Sequence, residues 1–549
     1  MRQGCRLCGA FSRPTKTASP GVLIGALRRQ CFLQDYNVNN HRKLCQSSAQ
    51  CSGQFGVGTG KQARLAVDLE SSAERFMMSN NLKPKQHPGV FHLTRRSLPP
   101  KFIEAAQRVL SHENLSRLLE STSAFRNYLW SRHLPIEEAE YRQKVEKVED
   151  NIQIKEDIMR PFLSAEQLEK LEAARDGKIK NHLKRDIYHW EAINYDKAKA
   201  LQYLLVRSAG EYAALLQIFS EIQRRDNQFQ PNTLCDFGSG IGTTVWASKT
   251  VWPKNVQEVL CADVSKEMNE LAERLLRGGS MNNDHGFPAL YFRQFLAQSF
   301  KVSYDLVVSA YSLMELPSLK HRLKALDILW KKTNNYLVIV EQGSSAGFKA
   351  IIEARDYILE LDKGHKSELS HVFSPCPQES PCPRFVHDDS TCNFYVKHQV
   401  LYPFHQDNTG TETFCYVVLK KGPRDPEDER WPRVVRDSMI RKKHCICRVC
   451  TNEGQLAEVL LTKNKHSQML YRVGRKSKCG DLLPVKEIKD HDVSTQFEPE
   501  ELNDFVDSEF ELFRSYVVVV AVHLQQPPVF EHLQDCLPLH HLLFYETRK

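Results

Sequence analysis

Between residues 231 and 345, short apolar runs alternate with longer segments of helical pattern. Thr233-Leu-Cys-Asp-Phe237, Glu258-Val-Leu-Cys-Ala262, Tyr304-Asp-Leu-Val-Val-Ser309 and Asn335-Tyr-Leu-Val-Ile-Val-Glu341 are the right length for buried strands. Strands alternating with helical segments predict parallel βαβ units and a doubly wound α/β sheet. Residues 101–230 read as helices. Leu98-Pro-Pro-Lys-Phe-Ile-Glu104 places prolines at a helix N-terminal edge. Ser164 and Gln167 stand in capping-box positions at the start of another. Further on, Phe414-Cys-Tyr-Val-Val-Leu419 predicts a strand. The longest apolar run, Tyr516–Val522, also reads as a buried strand. It falls well short of the roughly 18–20 residues a bilayer requires, so no membrane insertion is expected.

The first strand pattern leads into the most informative stretch of the chain, Asp236-Phe-Gly-Ser-Gly-Ile-Gly-Thr243. Glycine tolerates positive φ and lets a ligand approach bare backbone. Gly238, Gly240 and Gly242 alternate, unlike the Gly-x-Gly-x-x-Gly of dinucleotide-binding turns. Asp263 closes the next strand pattern, 21 positions past Gly242, where a carboxylate takes the ribose hydroxyls of a nucleoside. Together these residues resemble the cofactor turn of class I S-adenosylmethionine-dependent methyltransferases. The resemblance implies that Asp236 faces the amino-acid end of the cofactor. No catalytic residue is assigned. The fourth strand pattern is followed by Ser309-Ala-Tyr-Ser312, not the Asn/Asp-Pro-Pro-aromatic sequence of exocyclic-amine methylation, and no nucleophilic cysteine stands there.

Composition is that of a chain able to build a core, at 41% apolar and 26% charged residues. At 549 residues two to four domains are expected. Charge is uneven. Arg2, Arg6, Arg13, Lys16, Arg28 and Arg29 precede the first acid, Asp35, among serines and threonines. A basic, hydroxylated, acid-poor start marks an organellar transit peptide, and import into the mitochondrial matrix is expected. A second basic concentration runs from Arg433 to Lys443 and from Lys463 to Lys478. Gathered on one face it would suit a phosphate backbone; dispersed, it is a solvated surface.

Sixteen cysteines in such a compartment are not read as disulfides. Cys235, Cys261 and Cys415 sit inside apolar patterns as small core residues. Cys376 and Cys382 are different: six positions apart, each bracketed by prolines, with Cys392 ten later and Cys445, Cys447 and Cys450 beyond. Thiolates are soft ligands for zinc or iron–sulfur clusters. Proline beside a ligand reduces the entropy lost on binding. Spacing alone leaves zinc and cluster undecided, since only Cys447-x-x-Cys450 has zinc-finger form.

These features converge. The chain resembles the mitochondrial methyltransferase-like protein 17 family, associated with the small ribosomal subunit, over roughly residues 95–490. Tyr195–Arg207 and Tyr212–Arg224 are similar to the family's helical approach, Asp236–Thr243 to its cofactor turn, and Val340-Glu-Gln-Gly-Ser-Ser-Ala-Gly-Phe348 to its Glu-x-Gly…Gly-Phe sequence. The resemblance implies a [4Fe–4S] cluster on Cys376, Cys382, Cys392 and Cys450, with Cys447 the rival for the fourth place. Two departures are a long gap from Cys382 to Cys392 and Cys479 where the family carries tryptophan. It further implies a factor that assembles the mitochondrial small subunit for translation and binds its rRNA as a single copy. S-adenosylmethionine would be bound without turnover and the cluster would be structural. The competing readings are an active rRNA methyltransferase and a redox or iron-sensing regulator.

The expected organisation is a leader over 1–60, a linker over 61–100, helices over 101–230 and a Rossmann-like core over 231–345. A cysteine-cluster and basic, RNA-facing lobe follows over 346–490, then an extension over 491–549.

Overall fold

The computed structural model describes residues 63–488 apart from 189, 297–300, 364–369, 388–389, 404–407 and 427. The leader, the run Tyr516–Val522 and the extension 491–549 lie outside the described residues.

The described strands are β1 (Ala63–Leu65), β2 (Val67–Leu69), β3 (Thr233–Phe237), β4 (Glu258–Ala262), β5 (Ala289–Arg293), β6 (Tyr304–Ala310), β7 (Thr333–Gln342) and β8 (Ser370–Ser374). There follow β9 (Phe394–Gln399), β10 (Thr409–Lys421), β11 (Arg433–Val434), β12 (Met439–Ile440), β13 (His444–Cys450), β14 (Leu456–Thr462) and β15 (Val485–Glu487). The main sheet has eight strands in the order β5-β4-β3-β6-β7-β10-β8, with β9 also on β10. β5, β4, β3, β6 and β7 are mutually parallel. β10 runs antiparallel between β7 and β8. Winding reverses between β3 and β6, so a crevice opens at the carboxyl end of β3, where open α/β sheets take their ligands. An antiparallel strand inserted next to the last parallel one gives the class I methyltransferase topology.

The strands form because their side chains are almost wholly buried. Leu306, Val307 and Val308 of β6 and Leu337 to Val340 of β7 are fully covered. Such continuous apolar runs belong to parallel sheets shielded on both faces. The helix Lys197–Arg225 provides much of that cover. Asp196 caps it, accepting from the Lys199 amide at 2.8 Å, and Arg224 and Arg225 complement its C-terminal dipole. It is buried nearly all round, because it is packed between the sheet and the helices Pro100–Leu110, Leu115–Glu120 and Thr122–Trp130. The helix Ala165–Ala173 begins with the expected capping box, Ser164 with Gln167. Cys235, Cys261 and Cys415 are fully buried in strands, as expected.

Two features of the expected organisation differ. Residues 61–100 are not a simple linker. β1 adds in parallel to β14, β2 pairs antiparallel with β15, and Ser71–Ser79 is helical. Three-residue strands have no local signal; they exist because distant edges offer hydrogen bonds. Nor does the core end at 345, since β8, β9 and β10 continue the main sheet to Lys421. The remaining C-terminal part forms a five-stranded sheet, β1-β14-β13-β11 with β12 on β13. Its apolar side, including Cys445, Cys447, Val449 and Val459, packs with Leu470 and Val473 of the helix Gln468–Lys476. No helix among the described residues is long and apolar enough to cross a membrane.

Candidate functional site

Asp236, the fourth residue of β3, is 1% exposed. Gly238, Gly240 and Gly242 all have positive φ, at 68°, 50° and 78°. At Gly238 the constraint is also steric, because a Cβ would lie 2.3 Å from the Ser312 Cβ. Asp263, just past β4, reaches back to the turn. Its Oδ2 accepts from the Gly240 amide and its Oδ1 from the Ser265 amide, each at 2.9 Å. The two aspartates are thus brought to one turn at the switch point, as the sequence spacing requires. Burial pushes the Asp236 carboxyl up to about 8, with Thr244 alongside offsetting only part of the effect and Asp263 and Glu211 adding to it. No donor among the described residues reaches either Asp236 oxygen with ordinary hydrogen-bond geometry. A buried carboxyl left unpaired beside a glycine turn fits the ammonium of an amino-acid ligand, and the bare turn fits close approach of a nucleoside.

The loop after β6 is occupied by a network that the sequence did not reveal. Tyr311 holds a left-handed backbone, φ 55°, a strained conformation for so bulky a residue. The Arg207 guanidinium stands 4.7 Å from its ring centroid. Arg207 pairs with Glu412 at 3.0 Å and with Glu211 at 3.3 Å, all three side chains being buried. Glu211 also accepts from the Tyr203 and Thr243 hydroxyls. Only the i,i+4 spacing of Arg207 and Glu211 was open to sequence reading; Glu412 arrives from β10.

The cysteines present a second site. Cys376, Cys382, Cys392 and Cys450 line one small cavity, together with Pro375, Pro383, Arg384 and Arg433. Cys382 precedes the helical turn Pro383–His387, Cys392 lies just before β9, and Cys450 ends β13. The pleat separates the two rivals. Side chains alternate along a strand, so positions three apart face opposite sides. Cys447 joins Cys445 against the helix Gln468–Lys476, its Sγ 3.6 Å from the Gly474 carbonyl oxygen, and Cys450 faces the cavity. Cys479 is buried, its amide donating to Asp437 at 2.9 Å.

Buried arginines hold this loop through backbone carbonyls. Arg433 Nε donates to Pro375 at 2.8 Å, Arg355 Nη2 to Gln378 at 3.1 Å and Ser380 at 2.7 Å, and Arg384 Nη1 to Thr391 at 2.9 Å. Burial pushes the Cys376 thiol up to about 11 against the opposing pull of Arg355, and burial also raises Cys392 and Cys450. Metal binding must therefore expel protons. Among the described residues no group of three or more His, Cys, Asp or Glu side chains is set to hold a metal ion. Thiols gathered around one cavity are a soft donor set of the kind that suits zinc or an iron–sulfur centre.

Strand order and glycine turn define a methyltransferase-like α/β protein. Solved structures of that class are similar to it only at low scores: a plantazolicin methyltransferase in complex with SAH (13% identity, 52% of this chain and 99% of that one, TM-score 0.25) and a putative RNA methyltransferase from Pyrococcus horikoshii (13%, 38% and 82%, TM-score 0.23). The fold assignment rests on the strand order itself. Within the class, residues 197–484 match the family described as mitochondrial small ribosomal subunit Rsm22. The human ribosome assembly protein METTL17, mitochondrial, is 35% identical over 455 residues, covering 81% of this chain and 96% of its own. The Saccharomyces cerevisiae ribosome assembly protein RSM22, mitochondrial, is 19% identical over 49% and 64% of the two chains. The chain belongs to the Rsm22 family.

Proposed function

We propose that this protein is an assembly factor of the small ribosomal subunit in the mitochondrial matrix, that it binds small-subunit rRNA there, and that Cys376, Cys382, Cys392 and Cys450 hold a structural [4Fe–4S] cluster. The observation that carries the reading is the thiol-lined cavity itself, in a chain whose relatives are named for ribosome assembly. The cluster supplies cross-linking: it ties the loop 376–392 to the end of β13, and thus the main sheet to the C-terminal one. Metal binding of this kind contributes directly to folding.

S-adenosylmethionine is bound at Asp236, Gly238, Gly240, Gly242 and Asp263 without transfer of its methyl group. In support, the loop after β6 carries Tyr311 packed beneath Arg207, with the guanidinium already paired to two carboxylates. The match to the human relative covers 96% of that protein and 81% of this chain, which supports carrying its named role over to the protein as a unit.

The test is anaerobic purification. The protein is expected to be brown and to contain iron and sulfide in equal amounts. Cys450→Ser should lose both and Cys447→Ser should keep them. Colourless protein with stoichiometric zinc would overturn the cluster. If Asp236→Ala leaves subunit assembly intact but removes a methyl mark from the rRNA, the enzyme reading wins instead.

A further inference from the structure

The two basic stretches of the sequence meet in space. β13 and β14 pair antiparallel with His444 opposite Thr462, which brings Arg441, Lys442 and Lys443 beside Lys463 and Lys465. The Lys463 amide lies 3.5 Å from the Lys443 carbonyl. The helix Gln468–Lys476 closes the same end, Arg475 Nη1 donating to the Arg441 carbonyl at 3.0 Å. Arg441, Lys442, Lys443, Lys463 and Lys465 are all exposed. Lys442, Lys443 and Lys463 make no ion pair with a carboxylate among the described residues, and no acidic residue lies in either stretch 439–447 or 459–478. At the opposite end of β13 stands Cys450, opposite Leu456 and in the thiol cavity. Seven extended residues separate the two ends by about 20 Å.

The geometry points to this basic rim as the surface on which the rRNA phosphate backbone docks, apart from the nucleoside turn. The inference rests on the rRNA-binding reading and adds its location. Several cations held by a β-hairpin at fixed spacing neutralise successive phosphates and release their counterions. A-form RNA hides its major-groove edges, so contact of this kind reads shape and charge, not sequence. The strand also explains how a buried cluster bears on RNA without touching it. Cys450 pins one end of β13, and the other end presents the lysines.

The experiment uses the full chain, purified anaerobically, and a fluorescent hairpin from small-subunit rRNA, with affinity read from anisotropy between about 50 and 200 mM salt. The triple variant Lys442→Gln, Lys443→Gln, Lys463→Gln is expected to reduce the slope of log affinity against log salt by about 2–3, and to weaken binding about tenfold or more at intermediate salt. The control Lys147→Gln, Lys155→Gln, Lys180→Gln, on exposed helical positions, should change neither. Unaltered iron content and melting temperature in both triples show that folding is intact. A rim triple that binds like wild type, or a control that loses as much, overturns the placement and leaves RNA binding standing. Wild-type protein that does not bind the hairpin overturns the rRNA-binding reading and the placement with it. Binding to anionic-lipid vesicles that the hairpin cannot displace assigns the rim to a membrane instead.

Discussion

Arg433 and Glu221 form a buried ion pair, Nη2 to Oε1 at 2.6 Å, with 2% and 4% of their side chains exposed, although 212 positions separate them in the chain. Glu221 belongs to the long helix that covers the main sheet, and Arg433 to β11 of the C-terminal sheet. Arg433 also donates to the carbonyls of Pro375 and Gly480 at 2.8 and 2.6 Å. One guanidinium therefore joins the core, the cysteine loop and the turn before β15. Burial works against the Glu221 carboxylate, but Arg433 and Arg225 overcome it and hold the group below its ordinary range.

Removing one partner leaves the other charge buried and alone. Glu221→Ala is expected to cost about 3–5 kcal/mol in chemical denaturation and to lower the iron retained per chain. The double replacement Glu221→Leu with Arg433→Met should recover much of the stability, since apolar pairs of similar volume often match a buried ion pair. It should not recover the iron, because replacing Arg433 takes away the donor to the Pro375 carbonyl. A Glu221→Ala protein as stable as wild type would show the pair to be dispensable.

His87 sets an acid limit. It is fully buried, its Nε2 3.2 Å from the Ser477 hydroxyl, and burial lowers its pKa from 6.5 to about 4, with Asp481 opposing. A histidine depressed in the folded state contributes stability above the unfolded pKa of 6.5. That stability is lost as pH falls through 6.5 towards 4, up to about 3 kcal/mol. Melting temperature should therefore drop between pH 6.5 and 4, and His87→Gln should flatten that drop. An equally steep fall in the variant would place the acid sensitivity elsewhere.

Gly238→Ala should be among the most damaging single changes at the nucleoside turn. A left-handed backbone costs a non-glycine residue about 1–2 kcal/mol, and the added methyl meets the Ser312 Cβ at 2.3 Å. Ser312→Gly in the same chain removes the clash but not the φ penalty. It should restore part of the stability and part of the cofactor affinity measured by calorimetry. Full restoration would mean that φ does not matter there; none would place the damage in contacts other than Ser312.

Local pattern disclosed β3, β4, β6 and β7, the glycine turn and the caps at Ser164, because each depends on residues close in sequence. Pairing between distant segments was not accessible in that way. β1 and β2 carry three residues each and are strands only because β14 and β15 lie beside them. β10 was read as a strand at Phe414–Leu419, but nothing local marks it as the antiparallel insertion between β7 and β8. The phase of β13 puts Cys445 and Cys447 on one face and Cys450 on the other, and the odd spacing from Cys447 to Cys450 carried that much in the sequence. The arginines that hold the cysteine loop were invisible for a different reason. Arg355, Arg384 and Arg433 look like ordinary surface cations until the fold buries them against carbonyls.

Asp236 should show opposite effects on stability and on binding. Its folded pKa, about 8, lies above the ordinary 3.8 because the carboxyl is buried without a matched donor. A raised acid pKa means the contribution to stability is fully present below 3.8 and is lost as pH rises through 8, where the buried group is forced to ionise. In the absence of cofactor, Asp236→Asn should therefore be more stable than wild type at pH 8, by about 1–3 kcal/mol, and should lose most of that advantage by pH 5. S-adenosylmethionine reverses the balance. Its ammonium favours the ionised carboxylate, so wild-type affinity should rise from pH 6.5 to pH 8, while that of Asp236→Asn stays flat and about 10–100-fold weaker at the upper end. Calorimetric titration and thermal melts over this range measure both arms. A variant that is less stable than wild type at pH 8 would mean the carboxylate is already paired in the free protein. Equal affinity would move the ammonium away from Asp236.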